Sequence, residues 1–505
     1  MKNLILTLLV FVTLAVCSLT TNPGIRLRLT DKGLSYVAKI AVEVLNEKLK
    51  TIKIPDVTGD EDTPVGHISY SLSSIEVSSL SIPTYSLKTK VNVGLEMSVS
   101  SVSMSMSGHW HYREDHWPHI SDSGSFTLSA SGISFDVSIK IGATSDGHPT
   151  IAAAGCSASI GGVSIHFSGG ASWLYNLFSS KIEGVIKSSL NSELCKAATS
   201  AINDQGAKAV AKFPVKKQLD KYSLIDYALV KTPNSSFSFL DVFVKGEFES
   251  VAHPSEAPFT PFSLPVDSES SSMVYAWITD YVLNSASFVY MQAGVMNRTV
   301  TNDDLPKNFS YALNTKTFKL LIPLLYIKYP DRPMKLKVYP TEIPTVSSLA
   351  AGIDLSIIGN IEMYVDLANG SSVYALTLGL KISSSVKIAV RESNLTVHSD
   401  FVKLKAMLID SAIGNISLNI KLLQVFLDVF VDKLVIKEIN EFGDKGFPLP
   451  VIDGVSLENP KISNGKSFTL VSADVSYKPN NKEDEAHKRY LQHENQAPRK
   501  SIRIV

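Results

Sequence analysis

A two-residue period governs this chain. In SYSLSSIEVSSLSIP (69–83), VNVGLEMSVSSVSMSMSG (91–108), SGSFTLSASGISFDVSIKIG (123–142) and GGVSIHFSGG (161–170), apolar residues recur at every second position, and serine fills most of the places between. This is the period of antiparallel strands with one face in a core and the other in water. The serine face is small, polar and almost uncharged, which suits the outside of a curved sheet. The same pattern returns in SVYALTLGLKISSSVKIAV (372–390) and NLTVHSDFVKLKAMLI (394–409).

Four stretches break the alternation with helical spacing. DKGLSYVAKIAVEVLNEKLK (31–50) has Asp31 as its cap and Leu34, Val37, Ala38, Ala41, Leu45 and Leu49 as its apolar stripe. The second, 173–202, presents Leu177, Phe178, Ile182, Val185, Ile186, Leu190 and Leu194. The third covers 273–295. The fourth, 419–442, carries Val425, Phe426, Val429, Phe430 and Val431. Helix, many strands, long helix, and then the same order again: this is a repeat of architecture, with about 140 residues between the helices of each half. The expected fold is α+β, two similar barrel-like domains at 18–250 and 271–478. Between them lies VAHPSEAPFTPFSLPVD, part of a Pro-rich linker at 251–270. Residues 479–505 read as a disordered polar tail. Apolar helices beside a sheet ordinarily complete a core. Two per half, against a curved sheet, can also leave a slot for acyl chains. Val37, Ala41, Leu45, Leu177, Val185, Leu190, Val425 and Val429 are the candidate lining.

The ends and the composition fix the compartment. MKNLILTLLVFVTLAVC (1–17) has a short basic start and an apolar run too short to span a bilayer, so it reads as a secretory signal peptide. The mature protein is expected to be secreted and soluble. With Cys17 removed, Cys156 and Cys195 remain; an even pair in an oxidising compartment reads as one disulfide, two free buried thiols being the alternative. Glycosylation acceptors stand at Asn234, Asn297, Asn308, Asn369, Asn394 and Asn415, with none in residues 20–230. The formal net charge is zero, which argues against a general polyanion or nucleic-acid binder. No nucleotide-binding glycine loop, no G-x-S-x-G and no marked carboxylate pair is found. Neither an enzyme nor a cofactor is expected.

NPGIRLRLTDKGLSYV, LKTIKIPDV, VNVGLEMSVS with SGHW, DYALV before VKGEFES, DYVLNSASFVYMQAG, GFPLP and SADVSYK together resemble the bactericidal permeability-increasing protein and lipopolysaccharide-binding protein family. They occur in the family's order over nearly the whole mature chain. The resemblance implies two barrels joined by a central sheet into an elongated boomerang, each with an apolar pocket for phospholipid. It also implies a disulfide between the long second helix and a strand, where Cys156 and Cys195 fall. Members bind the lipid A part of endotoxin, kill Gram-negative bacteria, present endotoxin to receptors or move lipids.

GHWHYREDHWPH (108–119) falls where the bactericidal member has a lysine-rich hairpin at the far tip of its first barrel. Here that stretch supplies His109, Trp110, His111, Arg113, His116, Trp117 and His119 as the candidate contact to membrane or endotoxin. The neighbouring basic loop is replaced by GDEDTP, and a third basic segment by the uncharged FSGGASW. Four readings remain open. The stretch is a plain polar hairpin; an interfacial anchor through Trp110 and Trp117; an acid switch through its histidines; or a zinc site pairing His109 and His111 with His116 or His119. No metal is the working expectation. The functional expectation is a secreted lipid-binding protein of innate defence. It would hold phospholipid in apolar pockets and bind lipopolysaccharide, or another anionic membrane lipid, at the tip. The alternatives are a lipid carrier or transfer protein without antibacterial activity, and a paralogue that keeps the fold for another apolar ligand.

Overall fold

The computed structural model describes residues 22–63, 66–115, 119–169, 172–305, 311–416, 423–424, 427–428, 435–452 and 454–478. The expected signal peptide and the polar tail lie outside the described residues. Two compact units are present. The first comprises residues up to 213 with 228–245 and 265–276; the second comprises 214–227, 246–264 and 277 onward. The division differs from a single linker at 251–270. The chain passes between units at five points, after residues 213, 227, 245, 264 and 276.

In the first unit, β1 (Ile25–Thr30) leads directly into α1 (Asp31–Lys50). Then come β2 (Val57–Thr63), β3 (Gly66–Ser81), β4 (Thr84–Lys90), β5 (Gly94–Glu114), β6 (Ser121–Ala143), β7 (Pro149–Ser159), β8 (Gly162–Ser168) and α2 (Ser172–Ser200). The sheet runs β2-β3-β5-β6-β7, with β4 also on β5 and β8 also on β6. Every described pair in it is antiparallel. Over Gly94–Glu114 burial alternates almost residue by residue, as the two-residue period requires. Register shifts between Val99 and Val102, and between Ser73 and Glu76, mark bulges. Ser101, Ser74 and Gly132 take left-handed φ values of 58°, 53° and 61° there. An extra residue at a bulge bends its strand and tightens the local twist, so these long strands curl instead of lying flat.

The curled sheet closes on the two helices. Leu34, Ala38, Val42, Leu45 and Leu49 of α1 share a core with Met104, Met106, Phe126, Leu128 and Phe135 of the sheet, and with Ile182, Ile186, Leu190, Leu194 and Ala198 of α2. Thr30, not Asp31, caps α1: its hydroxyl accepts from the Gly33 amide at 3.4 Å, and Asp31 sits in the first turn. A carboxylate there still complements the helix dipole. Cys156 on β7 and Cys195 on α2 form the disulfide, with their Cα atoms 5.7 Å apart.

The chain continues through β9 (Lys216–Gln218), β10 (Ser223–Asp226), β11 (Leu229–Ser235), β12 (Phe239–Val244), β13 (Glu247–Ser250) and β14 (Val274–Thr279). β1 pairs with β12, and β12 with β11, in the first unit. Arg28 of β1 is buried, forks onto Asp241 of β12 at 2.8 and 3.0 Å, and lies over the Phe239 ring. Its remaining donor reaches the carbonyl of Asp267 at 2.8 Å, so the end of the expected linker is tied to the first unit. β9, β10 and β13 form a small sheet of the second unit.

The second unit repeats the plan. α3 (Asp280–Gln292) is followed by β15 (Arg298–Val300), β16 (Met334–Pro340), β17 (Thr345–Leu349), β18 (Gly352–Asp366), β19 (Ser372–Arg391), β20 (Asn394–Ser411), α4 (Ile436–Lys445), β21 (Phe447–Pro448), β22 (Val455–Gly465) and β23 (Phe468–Tyr477). The sheet order is β15-β16-β18-β19-β20-β21, with β17 on β18. The third expected helix is shorter than its spacing predicts. VYAWIT forms β14, since β-branched and aromatic residues suit a half-buried strand, and the helix starts only at Asp280. Much of the fourth expected helix, including Val425 and Val429, lies outside the described residues. Among the described residues no helix is long and apolar enough to cross a membrane.

Candidate functional site

Residues 108–114 of the His-rich stretch form the end of β5, and Asp115 and His119 are its other described residues. Its register is fixed on both sides: His109 lies between Ser73 and Ser125, His111 between Ser71 and Ser123, and Arg113 between Ser69 and Ser121. Strand alternation therefore sends the three side chains to the outer face, and all three are exposed. Small serines surround them and leave the imidazoles and the guanidinium standing clear.

The same alternation decides the fate of Trp110. It points inward and is only 2% exposed. Its ring stacks on Tyr112 at 6.0 Å, meets Phe167 edge-on at 6.2 Å, and donates from Nε1 to the Ser168 carbonyl at 3.2 Å. Gly124 lies opposite on β6, where a Cβ would stand 2.8 Å from Trp110 Nε1. Trp110 is thus a core residue, and the expectation of a membrane-touching ring at this position is corrected. Tyr112 beside it has its phenol pKa raised, first by burial and then by Asp122 and Glu114. His119 is exposed with a left-handed φ of 55°, its Nδ1 3.4 Å from the Glu114 carbonyl. His116 and Trp117 lie outside the described residues. Among the described residues, no group of three or more His, Cys, Asp or Glu side chains is arranged to hold a metal.

Sequence reasoning missed His67. It sits on the outer face of β3, in phase with Ser69 and Ser71. Its Nδ1 is 2.7 Å from Asp62 of β2, and its Nε2 is 3.8 Å from Asp115. Asp115 also accepts from Ser69 at 3.1 Å, and its amide donates to the His67 carbonyl at 3.0 Å. The hydrogen bond to Asp62 raises the His67 pKa above its ordinary value, with smaller help from the charges of Asp115 and Asp60. Gly59–Thr63 of the GDEDTP segment belong to β2, which runs beside β3 with Asp60 opposite Ser69 and Asp62 opposite His67. Alternation in both segments was the available signal, since it puts Asp60, Asp62 and His67 on one face.

The candidate pocket residues scatter. Leu45 and Leu190 are buried in the core, Ala41 is half-buried, and Val37 and Val185 are 37% and 44% exposed. Val42 replaces Val37 and Ala41 on the buried face of α1 because that face follows Leu34, Ala38, Val42, Leu45 and Leu49, a stripe one step round from the expected one. Val185 gives way to Ile182 and Ile186 for the same geometric reason. The side chain of Leu177 lies outside the described residues. Of the sequons, Asn234, Asn297, Asn369 and Asn415 are exposed, Asn394 is half-buried beside a strand turn, and Asn308 lies outside the described residues. Asn234 is on β11 in the first unit, so the acceptors are not confined to one unit.

Comparison with known proteins agrees with this architecture. The family model described as LBP / BPI / CETP family, N-terminal domain, matches residues 33–204, and its C-terminal counterpart matches 217–477. A bactericidal permeability-increasing protein of Sebastes schlegelii is 30% identical over 93% of this chain and 98% of its own. A lipopolysaccharide-binding protein of Mus musculus is 32% identical over 90% and 94%. A crystal structure of lipopolysaccharide binding protein superposes with a TM-score of 0.64 at 30% identity, covering 90% of this chain and 99% of that one.

Proposed function

Because the chain belongs to the LBP / BPI / CETP family, we propose that it is a secreted lipid-binding protein of innate defence. It holds phospholipid against the helices of each unit and binds bacterial lipopolysaccharide on the outer face of β5. The exposed set His109, His111 and Arg113, fixed in register among serines, is the observation that carries the second part. Arg113 offers a planar fork for phosphate, and the two exposed imidazoles offer ring N–H donors on the same face. Val37 on α1 and Val185 on α2 are apolar side chains at the rim of a closed core, and acyl chains would cover them. The exposed sequons are taken as glycosylated.

A second reading, a lipid carrier without antibacterial action, has its own support. Asp62 and Asp115 hold His67, and Asp60 stands on the same face, so among the described residues of this group the only fixed positive charge is Arg113. One measurement tests what the two readings share, and a second separates them. Mass spectrometry of an organic extract of the secreted protein should find phospholipid in near-stoichiometric amount; a lipid-free extract of folded protein would sink the carrier function common to both. Binding of immobilised lipopolysaccharide should fall at least tenfold for His109→Gln/His111→Gln/Arg113→Gln, with the phospholipid content unchanged. Equal binding by this variant would remove the β5 face as the site, and no binding by either protein would leave only the carrier.

A further inference from the structure

The second unit carries an apolar surface that its own core does not use. The segment Thr317–Leu320 is a tight helical turn, and Pro323–Lys328 is a short helix after it. Phe318, Leu321, Ile322 and Leu325 of this segment are buried in the core of the unit. Leu320, Leu324 and Ile327 point the other way and are 75%, 39% and 72% exposed. A helical segment apolar on both sides ordinarily has both sides covered. Single exposed aliphatic side chains need no explanation, but two leucines and an isoleucine within eight residues around one exposed proline form a patch.

Charge frames this patch. Lys316, Lys319 and Lys328 are all exposed around it. The Lys319 ammonium lies 4.8 Å from the Tyr326 ring, and Lys328 donates to the Ala412 carbonyl at 3.2 Å, so the first is held over the short helix and the second at its end. One acid, Asp331, touches the segment, accepting from the Tyr326 hydroxyl at 3.3 Å. Protruding aliphatic side chains, a half-buried tyrosine and a ring of lysines are what an interfacial segment presents to acidic headgroups.

We propose that Lys316–Lys328 is a second membrane-contact site, which inserts Leu320, Leu324 and Ile327 into an anionic phospholipid surface while its lysines meet the headgroups. A second copy of the chain is a poorer occupant, since a two-fold contact would bring the same lysines together. The site is independent of the proposed lipid contacts at the helices of each unit and at the face of β5.

The test uses the full secreted chain and vesicles of phosphatidylcholine with or without phosphatidylglycerol. Leu320→Ser/Ile327→Ser should lower partition onto phosphatidylglycerol vesicles about tenfold. Lys316→Gln/Lys319→Gln/Lys328→Gln should do so at low salt and lose its effect at high salt. Because the first unit is also proposed to meet lipid, an environment-sensitive fluorophore on Leu320→Cys decides. It should shift to the blue on phosphatidylglycerol vesicles and be quenched by brominated acyl chains, also in the His109→Gln/His111→Gln/Arg113→Gln background. An unchanged fluorophore on vesicle-bound protein overturns the proposal, as does a failure of the chain to bind these vesicles at all. So does sedimentation showing a lipid-free dimer that Leu320→Ser/Ile327→Ser dissolves, which would make the patch an interface between copies.

Discussion

Strand β5 in the first unit buries Trp110 and exposes His109 and His111, whereas Thr317–Lys328 in the second unit buries Phe318, Leu321, Ile322 and Leu325 and exposes Leu320, Leu324 and Ile327. Both stretches mix apolar and basic residues, and from composition alone they look like equivalent surface motifs. Geometry separates them. A strand sends alternate residues to opposite faces, so an apolar residue between two polar ones goes inward whenever the far side is a core. A short helical segment lying on a core covers it with one side only, and apolar residues beyond that side stay in water. Aromatic content therefore says little about membrane contact until the secondary structure around it is known.

Substitutions that contrast the two regions should give effects of very different size. Trp110→Ala removes a ring packed against Tyr112 and Phe167 and should cost the first unit about 3–5 kcal/mol in denaturant unfolding. An effect under about 1 kcal/mol would mean the ring is not core. Replacing both Cys156 and Cys195 by serine opens a loop with a sequence separation of 39 and should cost the same unit roughly 3–4 kcal/mol. The unfolding of the second unit should stay where it was, and a shift of both would show that the disulfide's influence is not confined to the first unit. Gly124→Ala places a methyl group 2.3 Å from the Ser168 carbonyl and against the indole; it should destabilise by about 1–3 kcal/mol through displacement of Trp110, visible in near-ultraviolet dichroism.

A smaller effect is expected from pH. The Asp62 hydrogen bond raises the His67 pKa above about 6.5. The charged imidazole then adds stability that is fully present below the unfolded value and is lost as the pH rises through the raised folded one. NMR titration of His67 should show its midpoint moving down in Asp62→Asn; an unmoved midpoint would remove the pair from the acid response of this face. Smallest of all, Leu320→Ser should change stability by no more than about 0.5 kcal/mol, since that side chain is 75% exposed. A large loss there would mean the leucine packs on something in solution.

Sequence by itself determined the periodicities and their direct consequences. Serine alternation gave long antiparallel strands and assigned His109, His111 and Arg113 to one face, because strand side chains alternate whatever surrounds them. The spacing of Leu34, Ala38, Leu45 and Leu49 gave α1, and two cysteines in a chain read as secreted pointed to one disulfide. Tertiary structure alone decided which face became the inside. It turned Trp110 into core, moved the buried stripe of α1 to Val42, made VYAWIT a strand, and interleaved the two units along the chain. It also brought Asp62, His67 and Asp115 together from separate segments, and set Leu320, Leu324 and Ile327 in water. Each of these depends on contacts between residues far apart in the chain, and local spacing carries no information about which partners those will be.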